Sequence, residues 1–224
     1  MASRTTRAAL RVDALGLILA GLINTFLASV DAGLILAPGT ATTQPNLLLR
    51  INWITENTLR WQAGWLFWFA VTLSFSWSYY ALGRHLNKTL PWVNLAIGLA
   101  LIAAAVDIVG VLINIVVLPT LASDLSTTQS LFLAMEKMAN ALTNVAAFGL
   151  YSFAGLLLLP AIFSTKDYPK WLRWLGVIEW SIASIATVLL IITPHIATIP
   201  LLISFALYAP WVWGSAFWLL RKEP

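Results

Sequence analysis

Long runs of apolar residues, broken by short polar, proline-rich or charged stretches, dominate the sequence. A helix needs about 20 mostly apolar residues to cross a hydrocarbon core of about 30 Å, and six runs are long enough. None of them alternates strictly between apolar and polar residues, so they predict helices rather than the strands of a closed barrel. We therefore predict an all-α, six-helix integral membrane bundle that forms one domain. The predicted spans are residues 14–36, 61–82, 93–117, 139–162, 172–193 and 199–220.

Two of the connecting segments are long enough to hold structure of their own. In the first, residues 38–60, the stretch Leu-Leu-Leu-Arg-Ile-Asn-Trp at 47–53 predicts a short helix at the membrane interface. This segment acts either as a lid or as a tether. In the second, residues 119–132, a Ser-Thr-Thr-Gln run supplies good N-cap residues, so a helix that starts near Ser130 is expected to continue into the fourth span.

Lysine and arginine residues cluster on one side of the predicted membrane. Three of the 13 cations, Arg50, Arg60 and Lys137, fall on the opposite side. By the positive-inside rule both termini are cytoplasmic, and the two long connecting segments face outward. The clustered cations are Arg4, Arg7, Arg11, Arg84, Lys88, Lys166, Lys170, Arg173, Arg221 and Lys222.

The composition is that of a membrane protein. Hydrophobic residues make up 60% of the chain and charged residues 10%, and the mean hydropathy is +0.84; soluble domains are roughly one-quarter charged. The chain has no cysteine, which excludes disulfides, thiolate metal ligands and thiol nucleophiles. The net charge of +4 follows from the basic cytoplasmic ends, so the expected surroundings are the lipid bilayer and no nucleic-acid partner is expected.

Acidic, amide and tyrosine side chains inside or beside the predicted spans are the candidate functional residues. An ionised side chain there costs several kcal/mol unless it faces the bundle interior, water or a partner. Helical spacing places these residues in stripes on single helix faces, most of them in the outer leaflet. The stripes are expected to converge on an outward-opening polar pocket. The predicted ligand-binding residues are Asn24, Asp31, Asp107, Asn114, Glu136, Asn140, Asn144, Tyr151 and Glu179.

Two alternatives stay open for these residues. Glu179 is placed about 5 Å to the cytoplasmic side of the membrane centre and belongs either to the pocket floor or to a separate site. The acids and amides as a whole either bind a ligand or only hydrogen-bond the helices together, with some acids uncharged. Arg60 and Lys137 are candidate ionic partners for Asp31 or Glu136.

Most of the 12 tryptophans lie in two groups. Those close to predicted span ends are expected to form interfacial belts, because an indole ring is most favourable at the membrane interface. Those deeper in the spans are candidates to wall an aromatic pocket. The first group is Trp53, Trp61, Trp65, Trp92, Trp171 and Trp174, and the second is Trp68, Trp180, Trp211 and Trp213.

No catalytic motif, metal site or cofactor site is predicted. Retinal would need a lysine in a late span, and the fifth and sixth spans have none. Transmembrane haem would need paired axial histidines, but His85 is expected in a cytoplasmic loop and His195 in an outer turn. An aspartate pair made of Asp31 and Asp107 remains chemically possible.

The fourth span and the entry to the fifth carry a set of glycine and apolar positions. They are Leu131-Phe132, Phe148-Gly149-Leu150-Tyr151, Gly155, Pro169, Leu172 and Leu175-Gly176. With the long segment before the second span, they resemble six-span bacterial proteins of domain-of-unknown-function family 4386. The resemblance implies a six-helix protein of the bacterial inner membrane, and it carries over no catalytic residues.

Three functional hypotheses follow, in this order. The first is a protein that binds or transports a small polar or cationic molecule in the outward-facing acidic pocket. The second is an accessory subunit of a membrane complex that packs against protein, pigment or lipid. The third is an intramembrane enzyme that acts on lipid, with Asp31, Asp107 and Glu179 as its acid and base groups.

Overall fold

The structure of the chain is a computed structural model that describes residues 4–41, 43–86, 90–124 and 129–222. Within these ranges the side chains of residues 4–6, 27–29, 32 and 194–195 are not described. Lys88, most of the Ser-Thr-Thr-Gln run and the side chains of Arg4 and His195, all named in the sequence analysis, therefore lie outside the described residues.

The described residues fold almost entirely into helices and contain no strand, which confirms the all-α prediction. Three π-helical segments, Leu27–Leu36, Ile113–Val117 and Ala141–Ala147, and a 3₁₀ turn, Ala37–Gly39, join or extend the α-helices. The α-helices are α1 Arg4–Phe26, α2 Leu47–Glu56, α3 Thr58–His85, α4 Pro91–Leu112, α5 Leu118–Ala122, α6 Gln129–Asn140, α7 Phe148–Ser164, α8 Lys170–Ile192 and α9 Pro194–Arg221.

The two predicted connecting helices are present. α2 is the short helix predicted at 47–53, and the side chain of Asn46 caps it by accepting hydrogen bonds from the backbone N–H groups of Leu48 and Leu49. α6 starts at Gln129 and continues through a π-helical segment into α7, as expected for a helix that starts near Ser130.

One predicted boundary is wrong. The turn predicted between the fifth and sixth spans, where His195 was expected, is reduced to Thr193 alone, because α9 already begins at Pro194. Proline is favourable in the first helical turn, where a backbone N–H would have no intrahelical acceptor. Pro194 thus starts the helix instead of interrupting the chain.

Six long helices pack in a closed ring in the order α1, α3, α4, α7, α8 and α9, and α9 returns to α1. Neighbours in the ring are antiparallel. Asp13 near the start of α1 bonds His85 at the end of α3, and Gly83 near the end of α3 faces Ile97 near the start of α4. We call the end of the bundle that carries α2, α5 and the start of α6 the α2 end, and the opposite end the His85 end.

Large aromatic side chains fill the middle of the ring. The ring of Phe75 lies 5.1 Å from that of Tyr151 and 4.4 Å from that of Tyr208. Trp180 is fully buried against Gly155, where a Cβ atom would lie 2.1 Å from the indole. Small residues on one helix therefore make room for indole rings on the next, and the interior is closely packed.

Five helical segments are long and apolar enough to cross a membrane: Arg7–Phe26, Pro91–Ala122, Gln129–Ser164, Lys170–Ile192 and Ile196–Arg221. These suggest a multi-pass membrane protein. α3 has 28 residues but is less apolar, because polar side chains such as Thr72, Ser74 and Ser78 lie along it. Those three are buried inside the ring, while the outer face of α3 exposes Leu66, Phe67 and Leu73.

Candidate functional site

A cavity of about 510 Å³ lies at the α2 end of the bundle. Its wall combines three tryptophans, amide and hydroxyl side chains and one carboxylate, a mixture typical of small-molecule sites. The lining residues are Gly33, Leu36, Ala37, Thr40, Ala41, Thr43, Trp61, Trp65, Trp68, Asn114, Glu136, Asn140, Asn144, Thr198 and Leu202. The structure thus brings together four of the predicted ligand-binding residues: Asn114, Glu136, Asn140 and Asn144.

All three π-helical segments contribute to this cavity. Leu27–Leu36 supplies Gly33 and Leu36, Ile113–Val117 supplies Asn114, and Ala141–Ala147 supplies Asn144. π-Helical turns are rare and occur often at functional sites, because the wider turn redirects side chains and loosens the regular backbone ladder. The convergence of all three on one cavity marks it as the candidate site.

Three tryptophans of α3 form one wall. The rings of Trp61 and Trp65, and those of Trp65 and Trp68, lie 5.7 Å apart, and the indole N–H of Trp61 donates to the backbone carbonyl of Asn114 at 2.7 Å. Trp61 and Trp65 are 2% and 6% exposed, so their prediction as belt residues is wrong. Position near a span end does not reveal which face of the helix a residue occupies.

The predicted belt and pocket tryptophans otherwise divide as follows. Trp92, Trp171 and Trp174 are exposed on the outer surface, as belt residues would be. Trp68 lines the cavity, as expected for a pocket residue, but Trp180 and Trp211 are fully buried in the core.

Glu136 forms a buried ion pair with Arg50 of α2. Arg50 Nε and Nη2 donate to the two carboxylate oxygens of Glu136 at 3.0 and 2.7 Å, and the two side chains are only 4% and 9% exposed. Arg50 also donates to the backbone carbonyls of Gln44 and Pro45, at 2.8 and 3.1 Å. The ion pair therefore ties α2 and the segment before it to α6.

The predicted ionic partners are therefore corrected. Neither Arg60 nor Lys137 pairs with Glu136, because Arg50 satisfies both of its oxygens. Arg60 instead donates to the backbone carbonyl of Leu34 and lies over the ring of Trp53. Glu136 is in the cavity wall as predicted, but its charge is balanced.

Asp107 and Tyr151 lie beside the cavity and not in its wall. Both line a smaller void of about 20 Å³, to whose wall Trp68 and Asn144 also contribute. Because Trp68 and Asn144 line the larger cavity as well, the two spaces adjoin. Tyr151 is buried, and its hydroxyl donates to the backbone carbonyl of Thr72 at 3.3 Å.

Asp31 and Asn24 do not reach the cavity. Asp31 is fully buried against Gly64 of α3, and neither of its carboxylate oxygens has a hydrogen-bond partner among the described residues. Asn24 donates to the hydroxyl of Ser74 at 2.9 Å and to the backbone carbonyl of Ala20 at 2.8 Å, which links α1 to α3. Asn24 thus acts as a helix contact.

The possible aspartate pair is not formed. Asp31 contacts α3 at Gly64, whereas Asp107 accepts from Thr72 at 2.6 Å. These two positions on α3 are eight residues apart, which corresponds to about 12 Å along a helix axis. Carboxylates at that separation cannot share a proton.

Glu179 belongs to a separate place in the core. It is 1% exposed and accepts a hydrogen bond from Ser204 at 3.2 Å, while its second oxygen has no partner within the described ranges. Trp180, the next residue in α8, and Tyr208 of α9 are both buried core residues. Of the two alternatives left open for Glu179, the structure favours a site away from the pocket.

Asp13 at the His85 end was not among the predicted residues. Its side chain is 1% exposed, and one oxygen lies 2.7 Å from His85 Nε2 while the other lies 3.6 Å from Arg84 Nη1. His85 is the last residue of α3. The prediction that it lies in a loop is therefore wrong. Asp13 was not selected from the sequence because it lies just before the first predicted span, which begins at residue 14.

A second charged contact closes the same end. Asp167, in the turn between α7 and α8, lies 3.1 Å from Lys222 Nζ and accepts from the indole N–H of Trp218 at 3.2 Å. Partial burial would raise the pKa of Asp167, but the hydrogen bonds and charge of Lys222 and the bond from Trp218 outweigh burial and lower it. Asp167 therefore stays ionised and holds the end of α9.

A metal site and a shared carboxylate site are two arrangements of acidic and histidine side chains that could support catalysis. Among the described residues, no group of three or more His, Asp or Glu side chains is placed to hold a metal ion. The three carboxylates proposed as acid and base groups, Asp31, Asp107 and Glu179, lie in three different surroundings and do not share a site.

The chain was compared with known protein families, proteins and structures. No protein-family model, no curated protein and no solved structure matches the chain.

Proposed function

We propose that this chain is a six-span protein of the bacterial inner membrane that binds a small organic cation in the cavity at the α2 end. The observation that carries the proposal is that cavity, whose wall combines three tryptophans in edge-on and tilted ring contact with a set of amide and carboxylate side chains. The bacterial location rests on the resemblance to domain-of-unknown-function family 4386.

Packing supports α3 as the sixth span. α3 lies in the ring between α1 and α4, which both qualify as spans, and it is antiparallel to each. A chain that crosses the membrane in α1 and again in α4 in the same direction must return between them. The apolar outer face of α3, with Leu66, Phe67 and Leu73, suits contact with lipid.

The distribution of charge supports an outward-facing α2 end. The described cations at that end are Arg50, Arg60 and Lys137, and Arg50 is neutralised by Glu136. The described residues at the His85 end include more cations, among them Arg84, Arg173 and Lys222. By the positive-inside rule the His85 end faces the cytoplasm, and the cavity opens outward.

The chemistry of the wall favours an organic cation. Indole faces attract cations through the ring quadrupole, by about 0.5–2 kcal/mol per contact depending on desolvation. Asn114, Asn140 and Asn144 offer carbonyl oxygens as acceptors. Asp107 adds a carboxyl group that no described cation balances, in the void next to the cavity.

Choline and its neutral isostere 3,3-dimethylbutan-1-ol provide the test, by isothermal titration calorimetry on protein in lipid nanodiscs. We expect saturable binding of choline and at least tenfold weaker binding of the isostere, because only the cation gains from indole rings and carboxylates. Equal binding of both, or no binding of either, would contradict the proposal.

Replacing a cavity tryptophan separates this site from non-specific binding. Trp68→Leu is expected to weaken choline binding about tenfold, because one indole face is lost. Trp171→Leu is the matched control, since Trp171 is exposed at the His85 end and does not line the cavity. An equal loss in both variants would place the binding elsewhere.

A further inference from the structure

Asp107 is a buried carboxyl group near the middle of the bundle. It is 5% exposed, one oxygen lies 2.6 Å from the hydroxyl oxygen of Thr72, and the other has no hydrogen-bond partner in the described part of the chain. A buried carboxylate left with a free oxygen and no cation is strongly disfavoured in a membrane protein.

The hydroxyl group of Thr72 lies between Asp107 and a backbone carbonyl. Its hydroxyl oxygen is 2.6 Å from the Asp107 oxygen and 3.2 Å from the backbone carbonyl of Trp68, and neither a carboxylate nor a carbonyl can donate. With Asp107 ionised, the Thr72 O–H donates to the carboxylate. With Asp107 protonated, the carboxyl O–H donates to Thr72, and the Thr72 O–H is free to donate to the Trp68 carbonyl. The hydroxyl therefore serves Asp107 in both protonation states.

The described residues that line the void around Asp107 include no cation. The residues that line its void come from five parts of the fold, α4 with Asp107 included, and Tyr151 of α7 is the one other titratable group among them. Apart from Asp107 and Tyr151, these residues are Trp68, Val71 and Phe75 of α3, Thr143 and Asn144 of the π-helical segment, Phe148 of α7, and Leu201 and Phe205 of α9. A neutral Asp107 suits such surroundings.

The void that Asp107 lines adjoins the ligand cavity. Its volume of about 20 Å³ is enough for one water molecule, and Trp68 and Asn144 form part of both walls. The cavity and the carboxyl group of Asp107 therefore lie on opposite sides of the Trp68 and Asn144 side chains, which places a cation in the cavity close to the carboxyl group.

We propose that Asp107 is the exchangeable proton site of this protein, protonated when the cavity is empty and ionised when an organic cation occupies it. The O–H bond of the carboxyl group breaks, the proton leaves to water through the void and the cavity, and the carboxylate balances the bound cation. The inference rests on the proposed cation binding, and it couples the binding of the cation to the release of a proton.

The first test measures protons and choline together. Wild-type protein in weakly buffered detergent solution is titrated with choline while a pH indicator records released protons. We expect about one proton per choline bound, and a choline affinity that falls about tenfold for each pH unit of acidification while Asp107 is protonated. Binding without proton release would overturn the exchange proposal and leave cation binding intact, whereas absence of choline binding refutes the proposed function itself.

Variants assign the proton to its residue. Asp107→Asn is expected to abolish proton release and the pH dependence of choline affinity. Glu179→Gln is the matched control, because Glu179 is equally buried but accepts from Ser204 away from the cavity, and it should release protons as wild type does. Loss of release in Asp31→Asn with retention in Asp107→Asn would overturn the assignment.

Infrared difference spectroscopy gives a readout that does not depend on the folding of Asp107→Asn. In wild-type protein, addition of choline should remove the carbonyl stretch of a protonated carboxyl group. Thr72→Val keeps the shape of the side chain but removes the acceptor of the Asp107 proton, so that band should shift in frequency before choline is added. A band that is absent, or is unmoved by Thr72→Val, would overturn the proposal even if choline does not bind.

Discussion

Replacing Arg50 by methionine is expected to lower the free energy of unfolding by about 3–5 kcal/mol, because Glu136 would remain buried without a partner. The two carboxylate oxygens of Glu136 take both of their hydrogen bonds from Arg50, at 3.0 and 2.7 Å. Methionine fills much of the same volume but donates nothing. The measurement is reversible unfolding in mixed micelles, followed by circular dichroism.

Two comparisons make this result specific to the ion pair. The double variant Arg50→Met with Glu136→Leu should recover most of the lost stability, because a buried ion pair can be replaced by packed apolar side chains at little cost. Arg60→Met should change stability by less than about 1 kcal/mol, since Arg60 is exposed at the surface. A loss below about 1 kcal/mol in Arg50→Met would show that the pair is solvated and does not hold α2 in place.

The same variants should move choline affinity in opposite directions. Arg50→Met leaves the Glu136 carboxyl group in the cavity wall without its cation, so at a pH at which Glu136 is ionised choline should bind at least tenfold more tightly. Glu136→Gln leaves the Arg50 cation unbalanced near the cavity, so binding should weaken by a similar factor. Two charges about 6 Å apart at an effective dielectric constant of about 20 interact by about 3 kcal/mol, which is enough for such factors. Changes of equal sign would indicate a general loss of structure.

The hydrophobic pattern predicts much of the fold because few backbone conformations are stable in lipid. Backbone groups must be satisfied within each segment, so long apolar runs become helices, and the helical period then places residues four apart on one face. This logic explains why Glu136, Asn140 and Asn144 line one cavity as predicted. It also explains the continuity of α6 with the fourth predicted span.

Contacts between segments distant in sequence account for the errors. Arg50 stands in a ten-residue helix whose docking on α6 depends on tertiary packing, so nothing near Arg50 in the sequence identifies Glu136 as its partner. Trp61 and Trp65 stand near a span end, but their face of α3 turns inward. Asp31 is a further example. The sequence predicted the helix that contains it, but it did not predict that Asp31 packs against Gly64 and not in the cavity wall.

The close fit of Trp180 against Gly155 predicts the other large effect on stability. Trp180 is 1% exposed, and its ring contacts those of Tyr79 and Trp211 at 5.6 and 5.5 Å. Trp180→Ala should lower the free energy of unfolding by about 3–5 kcal/mol, because it removes a large buried side chain and leaves a cavity. Trp174→Ala on the same helix is the control and should have a small effect, since Trp174 is 61% exposed.

Gly155→Ala tests whether the loss comes from this fit. Alone, the substitution places a Cβ atom 2.1 Å from the Trp180 ring and should cost about 1–3 kcal/mol by overpacking. In the Trp180→Ala background the space is empty, so the same substitution should be neutral or stabilising, as alanine is favoured over glycine in a helix by about 0.5–1 kcal/mol. The two effects should therefore be non-additive by more than about 1 kcal/mol. Additive effects would mean that α7 and α8 do not meet through these residues, and that the ring closes by other contacts.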